Sequence, residues 1–129
     1  METNYIHLTD AEWDVMECLW KQSPKTGREL IDELKAEKGW NRSTTLTMLR
    51  RLTEKGAVRA KADEERKVYE PLISREQAAL KETKSFLHKV YQGSLGMMLT
   101  TFTKKETLSR QEIQELYDIL KEMEEHTND

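Results

Sequence analysis

The chain has 129 residues, of which 36% are hydrophobic and 35% are charged, and its net charge is −3. A chain of this size and composition can bury one modest core, so we expect one compact domain with an extension. No apolar run approaches the roughly 18 residues of a membrane helix, and no leader-like segment opens the chain. We therefore expect a cytoplasmic protein that does not insert into a membrane.

Positive charge is concentrated in the middle of the chain. Residues 39–75 hold nine Lys and Arg against five Asp and Glu, which gives a net charge of +4. Residues 1–38 carry −4 and residues 76–129 carry −3. The acidic total does not exclude a nucleic-acid partner, because a local basic surface is sufficient to attract phosphates.

Catalytic and metal-binding patterns are missing from the sequence. Cys18 is the single cysteine, which excludes an intramolecular disulfide and a thiolate cluster within one chain. His7, His88 and His126 lie far apart and show no ligand spacing. Without a nucleophile–base pair or a phosphate-binding loop, we expect no enzyme activity, no cofactor and no metal.

Two short helices open the chain, and each begins with a capping box. Thr9 with Glu12 predicts the start of the first helix, which ends near Lys21 before a turn. Thr26 with Glu29 predicts the start of the second. Apolar side chains follow at helical spacing in both, so both helices are expected to face the core.

The third helix, from Asn41 to a glycine stop at Gly56, separates into two arcs when wound at about 100° per residue. The arc predicted to face the core contains Met48, Leu52, Thr45, Leu49, Thr53 and Leu46. The arc predicted to face water or a partner contains Arg50, Ser43, Glu54, Thr47, Arg51, Thr44 and Lys55.

Hydroxyl side chains dominate the start of that outer arc. Four of the five residues at 43–47 are Ser or Thr, which are mediocre helix formers. Short hydroxyls near a helix N-terminus, followed by arginines, suit the major groove of DNA, where they can contact base edges and phosphates. The alternative for this arc alone is a solvated amphipathic helix.

After Gly56 the pattern changes to that of a β-hairpin. Residues 57–62 alternate small or apolar with basic side chains, residues 63–67 form a charged turn, and residues 68–71 form a second strand. Three short helices and a hairpin predict a winged helix-turn-helix domain over residues 1–74.

Residues 75–129 are predicted to form a helical dimerisation region. Capping boxes at Ser74 and Ser109 start two helices, and Gly93 to Gly96 interrupts the apolar pattern between them. Because no second core can cover these apolar faces, association of two copies is the simplest way to bury them; packing back onto the first domain is the alternative. The expected dimerisation residues are Phe86, Leu87, Val90, Tyr91, Leu95, Met98, Leu99, Phe102, Ile113, Leu116, Tyr117 and Leu120.

Motifs along nearly the whole chain resemble those of the penicillinase and methicillin-resistance repressor family of bacterial winged-helix regulators. The N-terminal motifs are Leu8-Thr9-x-Ala11-Glu12-Trp13-x-Val15-Met16, Trp40 with Thr44, Thr47, Arg51, Leu52 and Lys55-Gly56, and Tyr69-x-Pro71. The C-terminal motifs are Phe86-Leu87, Val90-Tyr91-x-Gly93, Phe102 and Leu108-Ser109-x-x-Glu112-Ile113. Each motif is weak alone, whereas their order and spacing together are specific. The resemblance implies a mainly α fold with a small hairpin.

The resemblance also implies a function: a homodimeric repressor of β-lactam resistance genes that binds a palindromic operator. Thr44 and Thr47 would contact bases, whereas family members often carry a basic residue where this chain has Ser43. Family hairpins often turn at glycine, whereas this one has Asp63-Glu64-Glu65, so we expect its basic pair to face DNA and its acids to point away. The expected DNA-contacting residues are Trp40, Asn41, Arg42, Ser43, Thr44, Thr47, Arg50, Arg51, Arg66 and Lys67.

Release from DNA would follow proteolysis directed by a membrane sensor, and the resemblance places the cleaved bond at Thr101–Phe102. The family usually has Asn on the N-terminal side of that bond. Phe102 also suits a dimer core, whether or not cleavage occurs. A related branch senses copper through C-terminal cysteines, which this chain lacks, so copper control of that type is not expected.

Two other functions stay open on the sequence alone. A winged helix can serve only protein–protein contacts, which the acidic flanks would permit and which the segregated positive charge disfavours. A repressor of the same family can also answer to a signal other than β-lactams.

Overall fold

Six helices and three strands follow one another in the computed structural model, which describes residues 6–103 and 108–127. Their bounds are α1 Asp10–Lys21, β1 Lys25–Thr26, α2 Gly27–Lys38, α3 Arg42–Lys55, β2 Val58–Asp63, β3 Arg66–Pro71, α4 Arg75–Tyr91, α5 Leu95–Thr101 and α6 Arg110–Glu125. The predicted fold, mainly helical with a small β-hairpin, is confirmed.

Local capping interactions set the helix ends. Reciprocal bonds between an N-cap side chain and the residue three positions on satisfy amides that have no partner within the helix. These pairs are Thr9 with Glu12, Thr26 with Glu29, Ser74 with Gln77, and Ser109 with Glu112. Gly39 (φ 72°) and Gly56 (φ 84°) end α2 and α3 in the left-handed conformation that glycine adopts without strain.

The three strands form one antiparallel sheet in the order β1-β3-β2. In the hairpin, Val58 pairs with Pro71 and Asp63 with Arg66, so the turn is confined to residues 64–65. The predicted turn at 63–67 was therefore too long, because both strands continue through charged residues. The sequence analysis also missed β1, whose two residues pair with the middle of β3.

The chain divides into two compact units, residues 1–83 and 84–129. The first unit holds the core, to which α1, α2, α3, β2 and β3 all contribute. Trp20 closes one side of it, since its indole Nε1 donates to the Ile73 carbonyl at 2.9 Å. The buried apolar residues of this core include Val15, Met16, Leu19, Leu30, Leu34, Leu49, Leu52, Ala57 and Val58.

Two residues of the predicted core arc of α3 lie at the surface. Leu46 is 38% exposed, and Thr53 is also exposed, with its hydroxyl donating to the Leu49 carbonyl at 2.8 Å. Both lie at the same edge of the arc, roughly 60° and 80° around the helix from its middle. The neighbouring elements cover the centre of the arc and leave these two edge positions accessible, so this part of the prediction was wrong.

The second unit contains the end of α4 together with α5 and α6. Gln92 (φ 53°) and Gly93 (φ 87°) separate α4 from α5, in agreement with the predicted interruption. No residue of α5 or α6 is buried, and the structure describes both helices completely. The exposed apolar side chains of this unit are Phe86, Val90, Leu95, Met97, Phe102, Ile113, Tyr117, Ile119, Leu120 and Met123.

Candidate nucleic-acid interface

The outer face of α3 presents hydroxyls and cations together. Asn41 caps the helix by accepting a bond from the Thr44 amide at 2.8 Å, which fixes the hydroxyl residues in the first two turns. Ser43 is exposed, and Thr44 and Thr47 are half-buried. A depression of about 600 Å³ follows this face, and its lining residues are Asn41, Arg42, Ser43, Leu46, Thr47 and Arg50.

Arg50 and Arg51 extend that face toward the end of the helix, and both are exposed. Arg50 lies 3.6 Å from the Glu54 carboxylate, one turn further on. Trp40, at the other end, is half-buried against the core, so part of its side chain stays accessible beside the N-terminus of α3. The predicted contact residues 40–51 thus lie in and around one helix.

The β2–β3 hairpin, here called the wing, supplies further cations. Arg66 lies 3.9 Å from Asp63, and the Lys67 ammonium lies 6.0 Å from the centre of the Tyr69 ring. Glu64 turns the wing with φ 61°, a left-handed conformation that costs a non-glycine residue free energy. A glycine would adopt this turn without that cost.

Two basic residues of the wing, absent from the predicted contact set, share one carboxylate. Glu70 accepts a bond from Arg59 Nε at 2.9 Å and lies 3.4 Å from the Lys61 ammonium. A carboxylate between them reduces the positive potential they present to a phosphate. Their alternation with small residues along β2 was visible in sequence, whereas pairing to Glu70 required the strand register.

An ion pair joins the C-terminal end of α3 to the start of α1. The Lys55 ammonium lies 2.5 Å from Glu12 Oε1 and donates to the His7 carbonyl at 2.7 Å. Glu12 is only 1% exposed. Burial opposes its ionisation, but hydrogen bonds from Lys55 and the Thr9 amide outweigh that effect and hold the pKa of Glu12 below its ordinary 4.5. This contact positions the helix that carries the predicted DNA-contacting residues.

One cluster has the residue types of a metal site. Potential ligand atoms of Cys18, Glu33 and Glu37 lie within 4.8 Å of one another. However, burial raises the pKa of the Cys18 thiol to about 11, which disfavours the thiolate that a metal needs. Lys25 and Lys21 already pair with Glu33, at 2.5 and 3.1 Å. The cluster is therefore a salt-bridge group beside a structural thiol.

The residues expected to form the dimer and the cleavage site lie in the second unit. The Phe86 and Tyr91 rings pack edge to face with centroids 6.0 Å apart, and the Thr101 hydroxyl donates to the Tyr91 hydroxyl at 3.2 Å. Thr101 is the last residue of α5, and Phe102, 37% exposed, follows it as the C-cap. The Thr101–Phe102 bond thus lies at an accessible helix end in the single chain.

A family profile described as Penicillinase repressor matches residues 8–122. The chain belongs to the penicillinase repressor family. The penicillinase repressor of Bacillus licheniformis is 39% identical over 121 residues, 94% of this chain and 92% of that relative. The methicillin resistance regulatory protein MecI of Staphylococcus aureus (strain N315) is 32% identical over 120 residues, 93% and 98% of the two chains.

Solved structures from the same family resemble a little over half of the chain. The Bacillus licheniformis BlaI monomeric form, in complex with the blaP half-operator, has 36% identity and a TM-score of 0.52, covering 59% of this chain and 92% of that one. The DNA-binding domain of the repressor BlaI has 36% identity and a TM-score of 0.51, covering 58% and 90%. The predicted family and winged-helix fold are confirmed.

The family also bears on the class of protein. Its members are transcriptional repressors, which confirms the prediction that the chain is a regulator and not an enzyme. Throughout residues 6–103 and 108–127, every helix is too short or too polar to cross a bilayer.

Proposed function

We propose that this family member is a DNA-binding repressor that acts as a homodimer on a palindromic operator, controls β-lactam resistance genes and is inactivated by proteolysis. The observation that carries the proposal is the outer face of α3, where Ser43, Thr44 and Thr47 lie between exposed arginines in the +4 part of the chain. The BlaI structure named with a half-operator matches 59% of this chain at 36% identity, which supports a DNA partner here.

In the proposed complex, α3 enters the major groove by its N-terminal half. Thr44 and Thr47 contact base edges, because a short hydroxyl can donate to or accept from a base and its methyl can pack on thymine. Ser43 supplies a further contact without the charge that relatives often carry there. Arg51 and the wing residues Arg66 and Lys67 bind phosphates, which fixes register without reading sequence. Asn41, Arg42, Arg50 and Trp40 complete the contact surface.

Dimerisation supplies the second half of the proposed operator contact. Among the described residues of the second unit, ten large apolar side chains are exposed in the single chain, and association of two copies would remove many of them from water. Two linked winged helices bind two half-sites about one helical turn apart. The linkage raises the affinity for the operator because, once one winged helix is bound, the second binds at a high effective concentration.

Cleavage at Thr101–Phe102 would separate the DNA-binding unit from α6 and abolish that linkage. A membrane sensor protease is the proposed agent, and the exposed helix end supports access to the bond. Mass spectrometry of β-lactam-treated source cells should find fragments that end at Thr101 and begin at Phe102. Intact repressor in fully induced cells would contradict this part of the proposal.

DNA readout is tested on the operator found by footprinting the full chain on DNA that flanks its own gene. Thr47→Ala should weaken binding to this operator by about 1 to 3 kcal/mol, because one base contact is lost, and should leave random DNA binding unchanged. Arg51→Ala should weaken binding to the operator and to random DNA alike, since a phosphate contact carries no sequence information. Fluorescence anisotropy at fixed salt measures both effects.

The matched control is Thr83→Ala, which removes an exposed threonine of α4, outside α3 and the wing. Its hydroxyl is already bonded to the Ala79 carbonyl, so operator affinity should not change. Equal operator binding by the parent, Thr47→Ala and Thr44→Ala would overturn the assignment of the reading face. No preference of the parent for any footprinted segment would overturn the proposed function itself.

A further inference from the structure

Leu46 is the one apolar side chain of α3 that is exposed, and the structure describes every residue of this helix. Its neighbours along the helix surface are Ser43, one turn before it, and Arg50, one turn after it. Leu46 lines the depression that follows the outer face of α3. It also lines a second groove of about 320 Å³, shared with Ala60, Lys67 and other residues of α3 and the wing.

This location separates Leu46 from an ordinary surface leucine. Single exposed apolar residues are common on proteins and need no partner. Here, however, the other side chains that line the first depression carry amide, hydroxyl and guanidinium groups, so any ligand that fills it meets one apolar side chain among polar ones. A duplex lying along this face would bring its groove edges against Leu46.

The apolar group that a DNA major groove offers is the C5-methyl of thymine; the other groups of that groove are hydrogen-bond donors and acceptors. We infer that Leu46 packs against the C5-methyl of one thymine in the operator and thereby selects an A·T pair with that orientation. The inference rests on the proposed function. It assigns recognition of a thymine methyl group to Leu46, which lies beside the serine and threonine side chains that are proposed to contact bases.

The test is a double-mutant cycle between protein and DNA. Each thymine of the footprinted operator is replaced in turn by deoxyuridine, which deletes the methyl group and preserves base pairing. At one position the parent should bind about fourfold more weakly, the value expected for losing one buried methyl group. Leu46→Ala should bind the unmodified operator more weakly by a similar or larger factor. At that position, deoxyuridine should not weaken Leu46→Ala further.

Two variants keep the test specific. Leu46→Met retains an apolar side chain of similar volume and should still distinguish thymine from deoxyuridine. Leu72→Ala removes an exposed leucine that lies outside α3 and should leave the discrimination unchanged. Because Leu46 is not part of the buried core, Leu46→Ala should unfold at the same urea concentration as the parent.

Three results would overturn the inference while leaving the proposed function intact. The first is an unchanged operator affinity for Leu46→Ala. The second is an equal effect of deoxyuridine on the parent and on Leu46→Ala at every thymine. The third is a uniform loss of affinity on operator and random DNA, which would indicate contact with sugar. Failure of the parent to prefer the operator over random DNA would instead overturn the proposed function, and this inference with it.

Discussion

The two units of the molecule differ in how completely they bury their apolar side chains. In the first unit, Leu30, Leu34 and Leu52 are fully buried, and three helices and a sheet surround them. In the second unit, α5 and α6 are described completely and bury nothing, and Leu87, Met98 and Leu99 are only half-covered. The first unit therefore buries its apolar side chains within itself, whereas the second leaves most of them exposed in the single chain.

Capping quality is similar in the two units, so local helix signals do not explain the difference. Ser109 with Glu112 caps α6 as completely as Thr9 with Glu12 caps α1. Helices of this length are marginal in water without tertiary packing, whatever their caps. What the second unit lacks in the single chain is apolar burial, and a second copy of the chain is the partner proposed above.

The largest effect should come from the core of the first unit. Leu34→Ala should lower its free energy of unfolding by about 3 kcal/mol, because a leucine with no solvent exposure is replaced by a cavity. Tryptophan fluorescence during urea unfolding reports this unit alone, since Trp13, Trp20 and Trp40 all lie in it. Leu72→Ala, at an exposed position, should change stability by less than about 0.5 kcal/mol. Equal losses for the two variants would contradict the comparison.

A charge on the apolar face of α6 should affect association instead. Ile113, Leu116, Tyr117 and Leu120 share one face, and Leu120→Asp should weaken self-association about a hundredfold because each copy would have to bury an unpaired carboxylate. Sedimentation equilibrium measures the change, and the tryptophan unfolding curve should stay the same. Gln111→Asp, which places the same charge on the opposite face, should leave association unaltered. A parent chain that is monomeric at micromolar concentration would remove the proposed dimer.

The smallest effect concerns Glu12 and acid. Because its pKa in the folded chain is held below 4.5, its ionised form stabilises the fold above that pH, and the contribution is lost as pH falls through the lowered pKa. Glu12→Gln should cost about 1.5 kcal/mol at pH 7, where a charged hydrogen bond is replaced by a neutral one. The difference between parent and variant should shrink toward zero in acid. A difference that is constant with pH would show that ionisation of Glu12 contributes nothing.

The sequence predicted the features that depend on residues close together in the chain. Capping pairs lie three residues apart, and glycine stops act on a single residue, so α1, α2, α3 and α6 begin where expected, and α1 and α3 also end where expected. The order of three short helices and a hairpin extended this to the winged-helix architecture, and the family motifs agreed with it. The predicted DNA-contacting residues of α3 also share one surface, because helical periodicity fixes which side chains are neighbours.

Features set by distant residues could not be predicted in this way. β1 has only two residues and no alternating pattern, and it exists because Lys25 and Thr26 pair with the middle of β3. The Lys55–Glu12 pair joins residues 43 positions apart, and Lys55 in sequence resembles an ordinary helix-ending cation. The exposure of Leu46 depends on where neighbouring elements stop covering α3, which periodicity does not report.

Some cations on and beside the proposed DNA surface lie next to carboxylates of the same chain. Arg50 lies beside Glu54, Arg66 beside Asp63, and both Arg59 and Lys61 beside Glu70. If the chain binds DNA as proposed, a phosphate that approaches Arg50 or Arg66 meets a cation whose charge is already partly balanced, so these two residues hold random sequence less tightly. During a genomic search this would shorten the time that the repressor spends on wrong sites and give the base contacts a larger share in its residence on the operator.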